Sequence, residues 1–169
     1  MPIMHVNGAG LAYEEYGSGD EIVLSAQNFF FSSCYQAELA KPPTNYHVYT
    51  ITLRGYGAAE HVYDDQPRDW YQLWMEDVLA FAQAINVDRF TYTGNSHGAA
   101  VGWYLARQRP DVLKCLISVS GSPHAHWLAS AFSEGRERIR SGNADPDAIE
   151  AAAWSVSYPT SDAFRLARR

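Results

Sequence analysis

The sequence predicts an α/β fold in which a mostly parallel sheet carries helices on both faces. Two observations predict it. Between residues 21 and 120, apolar or β-branched segments alternate with segments of helical periodicity in the order β-α-β-α-β-α-β. The 169 residues are 47% hydrophobic and 19% charged, which is typical of a globular domain with its own core. Strands joined by helical crossovers pair in parallel.

Strand segments dominate the beginning of the chain. Four segments have the β-branched, aromatic or alternating composition of strands: Met4–Val6, Leu11–Tyr16, Ile22–Leu24 and Tyr46–Leu53. The first two flank Asn7–Gly10 and predict a hairpin. The third is apolar throughout, as in a strand buried on both faces. Before the fourth, Ser32–Ala40 predicts a short helix that ends ahead of Pro42 and Pro43.

Helices and strands continue to alternate up to residue 120. Trp70–Ile85 has the spacing of an amphipathic helix, and Asp69 is its predicted N-cap. A strand, a helix and a strand follow it: Arg89–Thr93, Ala99–Arg107 and Leu113–Ser120. Cys115 lies in the apolar run of the last strand, so we expect its side chain to be buried.

The organisation changes after residue 124. Residues 125–140 and 145–156 have amphipathic helical patterns, and the pattern of residues 125–169 includes no evident strand. We therefore divide the chain into an N-terminal core of residues 1–124, which carries the nucleophile motif described below, and a helical segment of residues 125–169.

The composition argues against several kinds of partner. The net charge is −6 without a Lys/Arg cluster, so we expect no nucleic acid and no anionic membrane surface. No apolar run approaches membrane-spanning length, and no charged region followed by an apolar stretch begins the chain. A cytoplasmic location is therefore expected. Cys34 and Cys115 have neither metal-binding nor redox spacing, and we predict no cofactor and no metal.

The segment Gly94-Asn95-Ser96-His97-Gly98 carries the clearest chemical signal. It reads G-x-S-x-G between a predicted strand and a predicted helix, which is the context of a nucleophile elbow. In such a turn the Ser96 hydroxyl projects from the edge of the sheet, while Gly94 and Gly98 let strand and helix approach closely. N–H groups at the helix N-terminus point toward an anion that forms there. The alternative is a glycine-rich turn with an incidental serine.

These residues resemble the α/β-hydrolase superfamily, in its serine-nucleophile branch with a helical lid. The resemblance covers residues 4–124, and implies that the segment from residue 125 begins the lid. Thr52-Leu53-Arg54-Gly55-Tyr56-Gly57 looks like the family's Asp-x-Arg-Gly-x-Gly turn, with Thr52 in place of the Asp. Where the family usually has His-Gly and an oxyanion-hole residue, this chain has Gln27-Asn28-Phe29.

The resemblance also implies roles for individual residues. Ser96 is the nucleophile, and the backbone N–H groups of Phe29 and His97 form the oxyanion hole. The side chain of His97 is expected to point away from the attacked carbon. Phe29 and Trp127 are candidates to line an acyl pocket, although aromatic residues are more often simply part of a core.

The base and the acid are the missing parts of this pattern. The family's order is Ser…Asp/Glu…His, yet His97, His124 and His126 are the only histidines after Ser96. Two strands of the family's sheet are also lacking, so we expect an N-terminal portion whose remainder is a separate chain or lost. A substitute base at His124, and a metal site at His124 and His126, rank below hydrogen-bonding roles, since no third ligand stands out.

The leading hypothesis is therefore a serine hydrolase. It would cleave an ester, thioester, lactone or related acyl bond of a small apolar substrate through an acyl-enzyme at Ser96, with base and acid supplied by the C-terminal remainder. The altered loop Gln27–Phe29 and the absent base and acid motivate one alternative, a non-catalytic ligand-binding protein or receptor on the same fold. An acyltransferase is the other, because hydrolysis and transfer differ only in water exclusion and acceptor binding.

Overall fold

A computed structural model of the chain describes residues 1–27, 35–56, 58–59 and 70–121. The chain divides into two units, Met1–Pro123 and His124–Arg169, and every described residue lies in the first. Several predicted features lie outside the described residues: Asn28, Phe29, Asp69, His124, His126, Trp127 and the helical segment of residues 125–169.

The described residues form one six-stranded sheet. Its strands are β1 (Ile3–Val6), β2 (Ala9–Tyr16), β3 (Ile22–Gln27), β4 (His47–Thr52), β5 (Phe90–Asn95) and β6 (Leu113–Val119). Their order across the sheet is β1-β2-β4-β3-β5-β6. β1, β2 and β4 pair antiparallel, whereas β4, β3, β5 and β6 run parallel. The predicted mostly parallel sheet is therefore confirmed.

The hairpin at the start of the chain turns more tightly than the sequence pattern indicated. Asn7 and Gly8 alone form the turn, with φ of 47° and 72°. Positive φ at both central residues defines a type I′ turn, whose twist matches that of the flanking strands. β2 consequently begins at Ala9, which pairs with Val6.

Two α-helices and two short 3-10 helices connect the described strands: α1 (Trp70–Ala84), α2 (His97–Gln108), Tyr35–Ala40 and Pro110–Val112. The helix predicted ahead of Pro42 is thus a 3-10 helix in its described part. Short pieces are the usual length of this tighter helix. Among the described residues, no helix is long and apolar enough to cross a membrane.

The 3-10 helix Tyr35–Ala40 lies on one face of the sheet, and the α-helices lie on the other. Ser25 on β3 is in register with Thr50 on β4 and Thr93 on β5, so these side chains share one face. The Gln36 amide of the 3-10 helix Tyr35–Ala40 donates to the Ser25 hydroxyl at 2.7 Å, which puts that helix on this face. Tyr92 precedes Thr93 on β5, so its side chain points to the other face, where its hydroxyl donates to the carbonyl of Gly98 in α2.

The apolar core fills the face that carries α1 and α2. Helix spacing turns one side of α1 toward the sheet, where Phe81 meets the rings of Tyr13 on β2 and Tyr49 on β4 edge-on. The core combines buried aromatic and aliphatic side chains from α1, α2, β3 and β5: Leu24, Trp74, Val78, Phe81, Tyr92, Val101 and Leu105.

β6 corrects one prediction, because Cys115 is exposed rather than buried. It is in register with Thr91, and Ile117 is in register with Thr93, so both point to the face opposite α2. Ile117 and Val119 on that face are 44% and 40% exposed. The apolar run of β6 correctly predicted a strand, but the sequence did not show that, among the described elements, α2 packs on one face of β6 and none covers the other.

Candidate functional site

Ser96 joins β5 to α2 in a backbone conformation that glycine usually adopts. Its φ is 54° and its ψ is −116°, close to the first central residue of a type II′ turn. A side chain in such a region costs on the order of 1–3 kcal/mol and persists only where its surroundings hold it. The Ser96 N–H donates to the Val119 carbonyl at 3.0 Å, and its carbonyl accepts from the Ala100 N–H at 3.1 Å. Strand and helix together hold the strained residue.

Two glycines make this turn sterically feasible. A Cβ on Gly98 would overlap the Ala26 carbonyl oxygen of β3, and a Cβ on Gly94 would overlap the Gly98 carbonyl group. The Tyr92 hydroxyl donates to that same Gly98 carbonyl at 2.8 Å, inside the core. The first turn of α2 therefore lies directly against the end of β3, at a distance that any larger residue would prevent.

The Ser96 hydroxyl lies at the start of helix α2. Ser96 is half-buried and occupies the N-cap position of α2, yet its side chain makes no capping hydrogen bond. N–H groups in the first turn of a helix lack partners within the helix, and the helix dipole adds partial positive charge there. Negative charge that develops on an acyl oxygen next to Ser96 would be stabilised by this N-terminus.

The side chain of His97 packs against three aromatic residues. Its ring stacks on Trp74, with centroids 5.8 Å apart and an interplanar angle of 27°. Tyr71 meets it edge-on, with centroids 5.9 Å apart and an angle of 75°. The imidazole Nδ1 lies 3.1 Å from the hydroxyl oxygen of Tyr56. The imidazole is thereby directed toward α1 and the segment that follows β4.

A buried ion pair anchors that segment. The Arg54 guanidinium donates to both carboxylate oxygens of Asp77, at 2.6 and 3.1 Å, and to the Asn7 carbonyl at 2.7 Å. The Asn7 amide donates to Asp77 at 2.8 Å, and the Trp74 indole N–H donates to the Arg54 carbonyl at 3.0 Å. Burial raises the pKa of Asp77, against the opposing hydrogen bonds from Arg54 and Asn7.

The described residues bring no base to Ser96 apart from the adjoining His97. His5 lies on β1, and His47 begins β4, where its Nε2 is 2.7 Å from a carboxylate oxygen of Glu15. The parallel strands begin at the sheet edge opposite to the one where β5 ends at Ser96, so His47 lies at the far edge. Within the same described ranges, no three His, Cys, Asp or Glu residues are grouped to hold a metal ion.

The sequence analysis missed the aromatic residues around His97. Tyr71 and Trp74 are three apart in α1, a spacing that places them on one side of the helix. Tyr56 lies inside the Arg-Gly-Tyr-Gly segment that carried part of the family resemblance. These patterns were visible, but only the folded chain shows that they converge on the residue after Ser96.

Comparison with known proteins identifies the class. A family model described as alpha/beta hydrolase fold matches residues 25–152, which include both Arg54 and Ser96. The chain therefore belongs to the α/β hydrolase fold family, and the predicted superfamily is confirmed.

Solved structures show the same fold at low sequence identity. An enol-lactonase from Burkholderia xenovorans superposes with a TM-score of 0.73 at 20% identity, over 99% of this chain and 62% of the lactonase. A hydrolase from Pseudomonas aeruginosa gives 0.71 at 24% identity, over 98% and 65% of the two chains. A thermophilic esterase from Thermogutta terrifontis gives 0.66 at 17% identity, over 85% and 53%. The chain thus spans less than two thirds of each of these proteins.

Proposed function

We propose that this chain carries the nucleophile of a serine hydrolase that cleaves an acyl bond in a small apolar substrate. The observation that carries the proposal is the geometry of Ser96. This strained residue lies at the N-terminus of α2, and its hydroxyl makes no capping hydrogen bond to the helix. A protein keeps such strain where the surrounding structure over-determines it, and strained residues cluster at active sites. Two of the solved structures described above are named as an enol-lactonase and an esterase, which supports esters and lactones as the substrate class.

The proposed reaction proceeds through an acyl-enzyme. The Ser96 oxygen attacks the carbonyl carbon and loses its proton to a general base, while the carbonyl oxygen takes up negative charge. The N–H of His97, and in our proposal that of Phe29, donate hydrogen bonds to this oxyanion. The leaving alcohol departs with a proton, and water then attacks the acyl carbon and releases the acid and Ser96. Loss of one oxyanion donor typically costs about 10²–10³ in rate.

We further propose that the base and the acid come from a C-terminal part of the same protein. Two findings support this. The described residues place no histidine at Ser96 other than its neighbour, whose ring is engaged by Tyr56 and Trp74. The chain also corresponds to 62% of the length of the enol-lactonase.

The first experiment measures intact masses of the purified protein before and after treatment with a fluorophosphonate. We expect a mass increase on this chain that maps to Ser96, together with hydrolysis of a p-nitrophenyl ester. Ser96→Ala should abolish both. Ser18→Ala, which removes an exposed hydroxyl from a turn between β2 and β3, should change neither.

The alternatives give different results in the same assay. Retained ligand binding without label or turnover in the wild-type protein would contradict the hydrolase and favour a binding protein. Faster release of p-nitrophenol in the presence of an added alcohol, with formation of a new ester, would indicate an acyltransferase.

A further inference from the structure

We propose that Tyr56 is a positioning residue, which holds His97 so that its backbone N–H meets the oxyanion. This inference rests on the proposed acyl chemistry at Ser96. It deepens that proposal by assigning a role to a side chain that follows β4 and has no place in the serine chemistry itself.

The ring of His97 is fixed on its face, at its edge and at one nitrogen. Trp74 stacks on the face of the imidazole, and Tyr71 meets it edge-on. Both are ring contacts, which depend only weakly on direction. The hydrogen bond between the Tyr56 hydroxyl and Nδ1, at 3.1 Å, adds a directional contact within the plane of the ring. We infer that the Tyr56 hydroxyl sets the position of the ring in this plane.

Tyr56 can do this because the backbone that carries it is itself held. The Tyr56 N–H donates to the Leu53 carbonyl at 3.0 Å, which closes a tight turn over Arg54 and Gly55. Gly55 has a φ of 89°, a conformation that side chains rarely adopt. Arg54 within this turn is 8% exposed and paired with Asp77.

The same turn also holds the stacking partner of His97. The Trp74 indole N–H donates to the Arg54 carbonyl at 3.0 Å. The same short stretch of backbone therefore positions both Trp74 and Tyr56. Their rings lie 5.9 Å apart. A displacement of this turn would move both contacts of the imidazole together, and α1 opposes such a displacement through the buried ion pair of Asp77 with Arg54.

The position of the side chain matters because His97 is the first residue of α2. A side chain clamped at its far end restricts the backbone to which it is attached, here the N–H that lies next to the nucleophile. Functional groups work only when held within about 0.5 Å of the productive geometry. A misplacement of about 1 Å can cost about 10²-fold in rate, so a smaller shift on loss of one hydrogen bond is expected to cost about 10-fold.

The test compares Tyr56→Phe with Tyr49→Phe in the purified protein. Both variants lose one phenolic hydroxyl, but the Tyr49 hydroxyl contacts Glu15, away from the elbow. We expect Tyr56→Phe to lower kcat for a p-nitrophenyl ester by about 10-fold with KM unchanged, and Tyr49→Phe to change neither. A residue that only supports folding would lower the melting temperature without this selective loss of kcat.

A spectroscopic measurement reports the contact independently of turnover. In protein labelled with ¹⁵N-histidine, the His97 signals are assigned by their loss in His97→Asn. Tyr56→Phe should shift the Nδ1 signal of His97, whereas Tyr49→Phe should affect His47, whose ring lies 4.6 Å from that of Tyr49.

The outcomes separate the two proposals. An unchanged kcat in Tyr56→Phe, with Ser96 labelled and turnover intact in the wild type, overturns the positioning role and leaves the hydrolase proposal standing. An unshifted His97 signal also overturns the positioning role. A wild-type protein with neither turnover nor label overturns the hydrolase proposal and, with it, this inference.

Discussion

The two faces of the parallel sheet are built in different ways. On the face of α1 and α2, the backbones approach closely and the buried charges are paired: Gly98 touches the Ala26 carbonyl, and Arg54 is paired with Asp77. On the face of the 3-10 helix Tyr35–Ala40, a row of hydroxyls crosses the sheet at Thr50, Ser25 and Thr93, all fully buried.

The hydroxyl row is only partly satisfied within the described residues. Ser25 accepts from Gln36, and Thr93 bonds the Tyr35 hydroxyl at 2.8 Å, but the hydroxyl of Thr50 has no partner there. A buried hydroxyl without a partner destabilises a fold by about 1–3 kcal/mol. The Ser118 hydroxyl on the α2 face also lacks a partner among the described residues, so the two faces do not differ in complete hydrogen bonding. They differ in the close backbone contact and the paired charges near Ser96, which the hydroxyl row on the opposite face does not have.

Arg54→Met, on the face of α1 and α2, is the test of this contrast with the largest expected effect. The substitution leaves the Asp77 carboxylate buried without its cation, which is expected to cost about 3–5 kcal/mol at pH 7. Arg109→Met, in an exposed pair with Asp111, should cost much less, because water and salt screen an exposed ion pair. Urea denaturation of both variants measures the difference, and equal losses would contradict the contrast.

The pH dependence of Arg54→Met provides a second check. Burial raises the pKa of Asp77, and removal of Arg54 removes a hydrogen bond that opposes this rise. The folded variant then holds a proton that the unfolded chain, with an Asp pKa of about 3.9, releases. Its stability therefore falls as pH rises above that value, so the deficit against the wild type should shrink as the pH is lowered from 7 toward 4.

Gly98→Ala tests the close approach at the elbow, with a slightly smaller expected effect. Its new methyl group would overlap a backbone oxygen of β3, which cannot move aside as a side chain can. We expect a loss of about 3 kcal/mol, at the upper end for overpacking. Gly10→Ala is the matched control, because its Cβ would meet only the side chains of Ile3 and His5, at 3.1 Å or more. Similar melting temperatures for the two variants would show that the elbow can relax.

Ser96→Gly and Ser96→Ala together measure the backbone strain at Ser96. Both remove the hydroxyl, and only glycine relieves the positive φ of 54°. Ser96→Gly should therefore be more stable than Ser96→Ala by about 1 kcal/mol. If denaturant midpoints show alanine to be equal or better, Ser96 is not strained.

On the opposite face, Thr50→Val is expected to stabilise the protein by about 1 kcal/mol. Valine keeps the shape and the strand preference while it removes the unpartnered hydroxyl. Thr93→Val should act in the other direction, by about 0.5–1 kcal/mol, because it breaks the bond to Tyr35. Thermal unfolding of both variants measures these changes. A lower melting temperature for Thr50→Val together with a higher one for Thr93→Val would refute this description of the hydroxyl row.

Local periodicity was sufficient for the elements of the sheet. Each strand from β3 to β6 was predicted within a few residues, because alternation and β-branching are properties of neighbouring residues. The exposure of the Cys115 side chain was not predictable in this way, since it depends on which elements cover β6. The same limit applies to the pairing of Arg54 with Asp77 and Asn7, which are 23 and 47 residues away along the chain.

The candidate site divides in the same manner. The pattern around Ser96 predicted a tight turn with glycines on both sides, because a strained turn needs specific residue types at fixed offsets. The contacts of His97 with Tyr56 and Trp74 depend on how two distant segments pack, and no offset along the chain encodes that. The roles of Phe29 and Trp127 stay predictions, as both lie outside the described residues.

The contact of Gly98 with the Ala26 carbonyl also sets the distance between helix α2 and strand β3. It fixes how far the first turn of α2 stands from the last residues of β3. Position 29, the proposed second oxyanion donor, comes three residues after Ala26. Sequence changes in the segment after β3 therefore begin next to a backbone contact that also positions the turn at Ser96. A library that varies residues 28–34 and keeps Gly98 and Ala26 is expected to retain the position of Ser96, which the proposed acyl chemistry requires.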